Sequence, residues 1–72
     1  MNKADVLQIS LAAARVNAGY TQDDVARELH VSRCAVINWE KGKVIPTFIT
    51  MNALSSLYKI PIDNIILPQK ST

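Results

Sequence analysis

Thr21 and Ser32 divide the middle of the chain into two short amphipathic segments, and no other feature restricts the fold as strongly. Thr21 is a good N-cap, with Asp24 three positions on to reach back to it as an acidic capping box. Val25, Ala26 and Leu29 then recur at helical spacing on one face. Ser32 caps again after His30 and Val31. Val36 and Trp39 supply the inner face of the second segment, and Gly42 closes it. Ala26 is small where the second helix has to cross the first, opposite Val36, so a close crossing is expected. Residues 21–42 therefore predict two helices that cross steeply over a tight turn.

That arrangement is the helix-turn-helix, whose second helix enters the major groove of DNA. From about Leu7 to Pro68 the chain resembles the lambda-repressor/Cro type of helix-turn-helix domain, also called xenobiotic-response-element-like. The residues that carry the resemblance are Arg15, Gly19, Thr21-Gln22, Ala26, Val31-Ser32-Arg33, Val36, Trp39-Glu40, Gly42-Lys43, Pro46 and Ile62-Asp63. They stand in the family's order and near its spacing. The resemblance implies an all-α fold, a compact five-helix DNA-binding domain with its helix-turn-helix at residues 21–42. A single domain over 1–68 and a frayed polar tail over 69–72 are expected.

Composition agrees with one small domain. Seventy-two residues lie near the lower size at which a core holds without staples. With 49% hydrophobic residues, two glycines and three prolines, the chain is globular rather than disordered. The single cysteine, Cys34, permits neither an internal disulfide nor a zinc cage and fits a reducing cytoplasm. No apolar run is long enough to span a bilayer, and the N-terminus lacks a signal-peptide core. No nucleophile stands in motif spacing with a base, and no glycine loop is built to cradle phosphate, so an enzyme is not expected. Neither a metal, nor a cofactor, nor a small-molecule ligand is expected.

Taken in order, Asp5–Ala18 reads as a first helix, with Leu7, Leu11, Ala14 and Ala18 on one face and Gly19 as its C-cap. Arg15 lies beside that face, and the resemblance pairs it with Glu40 as a structural ion pair. At His30 the family usually has glycine, because the turn wants a left-handed backbone. Histidine tolerates that conformation at a cost of roughly 1 kcal/mol. Pro46-Thr47 starts a fourth helix, capped by Thr47, with Phe48, Met51, Leu54 and Leu57 as its core stripe. Lys59 stands where the family usually has a C-capping glycine. Ile60-Pro61-Ile62-Asp63 turns into a last short helix ending at Ile66, Leu67 and Pro68. Tyr58, Ile62, Ile65, Ile66 and Leu67 exceed what so small a core buries from one side, and they predict a contact with a second copy or a partner chain.

The second helix of the motif, residues 32–41, decides function. With Val36, Trp39 and Glu40 inward, its opposite face carries Arg33, Cys34, Ile37, Asn38 and Lys41. Arg33 can fork onto guanine and Asn38 can pair bidentately with adenine, while Cys34 and Ile37 suit thymine methyls. Ser32, the N–H groups near Gln22, and Lys41 or Lys43 suit phosphates. The resemblance carries DNA contact onto Gln22, Arg33, Cys34 and Asn38. It implies a cytoplasmic regulator of the temperate-phage kind, a homodimer on a near-palindromic operator.

Charge keeps other functions open. The whole chain carries a formal charge of only +2. Between Thr21 and Lys43, Arg27, Arg33, Lys41 and Lys43 are balanced by Asp23, Asp24, Glu28 and Glu40. Phosphate neutralisation supplies much of the affinity of such domains. A modulator or anti-repressor that docks on a partner repressor and masks its DNA-binding face is therefore a second reading. An antitoxin-type regulator is a third. The chain stops after its last predicted helix, so no ligand-sensing second domain is expected.

Overall fold

A computed structural model describes residues 8–68. The part of the first predicted helix from Asp5 to Leu7, and the tail at 69–72, lie outside the described residues. The elements are β1 (Ile9–Ser10), α1 (Leu11–Asn17), α2 (Gln22–Leu29), α3 (Arg33–Lys41), α4 (Phe48–Tyr58), a single 3-10 turn at Ile62–Asn64, and β2 (Ile65–Ile66).

The helices share one local rule at each end. Each begins after a hydroxyl residue in extended conformation, whose side chain accepts the backbone N–H three positions on. The distances are 3.1 Å for Ser10–Ala13, 3.0 Å for Thr21–Asp24, 3.1 Å for Ser32–Ala35 and 3.2 Å for Thr47–Thr50. At Thr21 the box is complete, since Asp24 Oδ2 accepts the Thr21 N–H at 2.8 Å. Each helix ends at a residue with left-handed backbone: Gly19 (φ 86°), His30 (58°), Gly42 (80°) and Lys59 (59°). The next residue's N–H then donates back across the helix end, from Tyr20 to Arg15, Val31 to Ala26, Lys43 to Asn38 and Ile60 to Ser55. These are Schellman closures, which normally favour glycine.

His30 and Lys59 thus hold a conformation that disfavours a Cβ, and both side chains are exposed. His30→Gly is accordingly expected to raise stability by about 1 kcal/mol, because it relieves the backbone without removing a packed group. Urea denaturation at neutral pH measures it, and a loss of stability would show that the imidazole contributes a contact.

The core is built where the inner faces meet: Leu11 and Ala14 of α1, Val25 and Ala26 of α2, Val36 and Trp39 of α3, Met51, Leu54 and Tyr58 of α4, and Ile65 of β2. The α2–α3 pair makes the most extensive contact, and both Ala26 and Val36 are buried there. No helix among the described residues is long and apolar enough to cross a membrane.

Three expectations need correction. The architecture has four helices among the described residues rather than five. The last expected helix is only one 3-10 turn, after which the chain straightens so that β1 and β2 pair in parallel, Ile9 with Ile65 and Ser10 with Ile66. The same pairing delays α1, which starts at Leu11 because Ile9 and Ser10 are extended and Ser10 is its cap. Phe48 is not a core residue; it stands 71% exposed in the first turn of α4, and Tyr58 at the other end fills the core instead.

Tyr58 packs against Tyr20, with ring centroids 6.3 Å apart. Burial pushes the Tyr58 phenol up to about 12, and the Glu40 carboxylate adds to the shift. The folded state keeps the neutral phenol, so this contribution to stability is whole below the ordinary value of 10.0 and is lost as pH climbs toward about 12. Melting followed by circular dichroism across that window is expected to show an alkaline loss that Tyr58→Phe reduces.

Candidate nucleic-acid interface

The candidate reading element is α3. Its inner side holds Val36 and Trp39 in the core, which fixes the phase of the helix about its own axis. Arg33, Cys34 and Lys41 then face solvent, while Ile37 and Asn38 are half-buried along the same side. Asn38 Nδ2 lies 3.9 Å from Cys34 Sγ, one turn back. That is a weak contact, which leaves the carboxamide free for stronger partners. Ser32 is exposed at the head of the helix, where its Oγ accepts the Ala35 N–H, and Lys43 is exposed just past the tail.

What holds α3 at its angle is a polar cluster centred on Glu40. Arg15 Nε donates to Glu40 Oε2 at 2.7 Å, and Arg15 Nη2 donates to Oε1 at 3.3 Å. Gln22 Nε2 donates to the same Oε1 at 3.0 Å, and Arg15 Nη1 donates to the Tyr20 carbonyl at 3.0 Å. The carboxylate thereby ties the end of α3 to α1 and to the first residue of α2, and Arg15 extends the cluster to the α1–α2 turn. The Arg15 and Glu40 side chains are only 14% and 6% exposed. Hydrogen bonding to Glu40 raises the Arg15 pKa above its ordinary value, against the opposing effect of burial. Charge-assisted bidentate pairs of this kind restrict orientation as well as adding energy.

Gln22 therefore has two claims on it. It stands at the head of α2, where a phosphate contact is expected, but its amide already serves Glu40. A shallow cleft of about 420 Å³ opens beside it, lined by Tyr20, Thr21, Gln22, Asp23 and Arg33 among others. The first turn of α2 borders this cleft, and Arg15 and Arg33 line it together with the Asp23 carboxylate.

One further contact joins the starts of α2 and α3. Arg33 Nε lies 3.6 Å from Asp23 Oδ1, with both side chains well exposed. The sequence counts Asp23 among the acidic residues that balance this segment; the structure adds that it lies beside Arg33, the residue expected to fork onto guanine. Opposite charges at the starts of two consecutive caps, Thr21-Gln22-Asp23 and Ser32-Arg33, were the available signal. A second exposed pair joins Arg27 to Asp24 at 2.7 Å. Hydrogen bonds from the Thr21 backbone and hydroxyl hold the Asp24 carboxyl below the ordinary carboxylate value.

The residues expected to meet a partner chain are divided. Tyr58 and Ile65 lie in the core, 4% and 9% exposed, so their surface is not available to a partner. Ile62 and Leu67 are half-buried against that core, and Ile66 stays 46% exposed. For Ile65 and Ile66 the reason is the β1–β2 pairing, which turns successive residues of the strand to opposite sides, while Tyr58 is buried as part of α4.

The helix-turn-helix family pattern matches residues 11–65. The HTH-type transcriptional activator BcrR of Enterococcus faecalis is 32% identical over 56 residues, which cover 78% of this chain. The chain spans 28% of that relative's length.

Proposed function

Since this chain belongs to the helix-turn-helix family of lambda-repressor/Cro-like domains, we propose that it is a small sequence-specific DNA-binding transcription regulator, of the kind that works in phage-type genetic switches. It reads a near-palindromic operator through α3. Arg33 and Asn38 contact purine edges, Cys34 and Ile37 lie against thymine methyls, and Ser32, Lys41, Lys43 and the head of α2 at Gln22 take phosphates. The observation that carries this reading is the division of α3: Val36, Trp39 and Glu40 are held inward while Arg33, Cys34 and Lys41 stay open on the other side. A recognition helix needs that combination of fixed angle and free face.

Selection of binding sequences from a random double-stranded pool tests the proposal. A two-fold-symmetric motif with half-sites about one helical turn apart is the expected result. A pool that stays unenriched at low salt would overturn it.

One observation favours a second reading. The Arg33–Asp23 pair and the equal numbers of acidic and basic residues from Thr21 to Lys43 suit a face that docks on a basic protein surface. On that reading the chain masks the DNA-binding face of a partner repressor. A stoichiometric complex with a neighbouring repressor, releasing it from its operator, would establish it. The antitoxin reading has no comparable observation behind it.

A further inference from the structure

Asp24 completes the Thr21 capping box and pairs with Arg27, and Glu40 is held inward by Arg15 and Gln22. Asp23 has no such structural duty. It stands in the first turn of α2 with its side chain 65% exposed. Its polar partner among the described residues is the Arg33 guanidinium, with Oδ1 3.6 Å from Nε. Of the two arginines that border the cleft at the head of α2, Arg15 is committed to Glu40 and to the Tyr20 carbonyl. Arg33 is therefore the cation left beside Asp23.

The contact runs through Nε and leaves the terminal Nη pair, the fork that matches guanine O6 and N7, to another partner. Charge then decides what that partner is. A phosphate is anionic, so the carboxylate beside Arg33 repels it. The guanine edge is uncharged and offers two acceptors, so it is repelled far less. Phosphate contacts supply essentially all of non-specific binding, whereas an operator adds base contacts. An anion at Asp23 thus lowers affinity for every sequence, and lowers it most where Arg33 has only a phosphate to hold. Specificity is the difference between those affinities.

We propose that Asp23 is a specificity-determining residue, which acts through Arg33 to suppress binding to arbitrary sequence more than binding to the operator. It works by position and charge and touches no base itself. The equal numbers of acidic and basic residues from Thr21 to Lys43 then suit a selective reader rather than counting against DNA. The inference rests on the DNA-reading proposal and adds how that face rejects other sequences.

The test measures affinity for the operator duplex selected from the random pool and for a scrambled duplex of the same length and composition. Wild type is compared with Asp23→Asn, Asp23→Glu, Arg33→Ala and the Asp23→Asn, Arg33→Ala double variant. Asp23 is exposed and caps nothing, so the variants retain their fold, which circular dichroism verifies. Asp23→Asn is expected to gain about threefold on the operator, as an exposed pair is worth little. On the scrambled duplex it gains about tenfold, because a full charge repulsion is removed. Selectivity therefore falls, and the salt slope on scrambled DNA steepens by about one unit as Arg33 takes a phosphate. Asp23→Glu keeps the charge and stays close to the wild-type ratio. With Arg33→Ala in place, Asp23→Asn leaves the ratio unchanged. A selective wild type whose ratio survives Asp23→Asn would overturn this inference alone. So would an equal fall in the ratio with Arg33 removed, since Asp23 would then act as a general charge. A wild type that selects no operator sinks the DNA-reading proposal, and this inference with it.

Discussion

Glu40→Ala is expected to lower the stability of the domain by about 3 kcal/mol, and Arg15→Ala by a similar amount, because each leaves the other's charge poorly hydrated and unpaired. Glu40 accepts from Arg15 Nε, Arg15 Nη2 and Gln22 Nε2, so its loss leaves three donors without a partner. In a domain whose total stability is of order 5–15 kcal/mol, that is a large fraction. The Arg15→Ala, Glu40→Ala double variant should lose clearly less than the sum of the single losses, since the second truncation removes the stranded charge. Glu40→Gln keeps the shape and some of the hydrogen bonding and should fall between wild type and Glu40→Ala. Urea denaturation of the four proteins measures the coupling. Additive losses would mean that the pair contributes little beyond its separate side chains, and that α3 is held at its angle by Val36 and Trp39 alone.

Arg33→Ala is expected to weaken binding to the selected operator by about 1–3 kcal/mol, roughly 5- to 150-fold, and to relax the preference at one base position. Asp23→Asn should act in the opposite direction. It releases the Arg33 guanidinium from its exposed 3.6 Å pair and removes an anion from the edge of the interface. The gain is smaller, about threefold, because an exposed pair is worth little. Fluorescence anisotropy with the same operator duplex reads both variants. If Arg33→Ala costs equal affinity on every sequence, Arg33 is a phosphate contact rather than a base reader.

The parts of this fold legible in the sequence are those set within one turn of a helix. Thr21, Ser32 and Thr47 stand out as caps because a hydroxyl before a helical pattern acts locally, and Gly19 and Gly42 as closures for the same reason. His30 and Lys59 at left-handed positions were legible only against a family that prefers glycine there. Leu7, Leu11 and Ala14 share a helical phase, and two-residue strands have no period of their own, so the sequence points to a helix where Ile9 and Ser10 are extended. Only the distant partner Ile65 decides that Ile9 is extended. The exposure of Phe48 is hidden in the sequence for a related reason. Helix α4 is apolar over most of its surface, so its sequence does not fix which side faces inward, and packing against α1 and the C-terminal turn selects Met51, Leu54 and Tyr58. At the interface, the outward row on α3 follows from its spacing around Val36 and Trp39. The Asp23–Arg33 contact does not, because it depends on how closely the two helix starts approach.

The central claim is that this face reads DNA, and its most direct test is a salt series of binding to duplexes from beside the chain's own coding region. Saturable binding that prefers one duplex over scrambled sequence, and weakens steeply and log-linearly with salt, is the predicted result. Its slope should be modest, since Lys41, Lys43 and Arg33 are the main cations on the face. Binding that stays weak and indifferent to sequence at the lowest salt would contradict the account, and would leave the masking of a partner protein as the function this face serves.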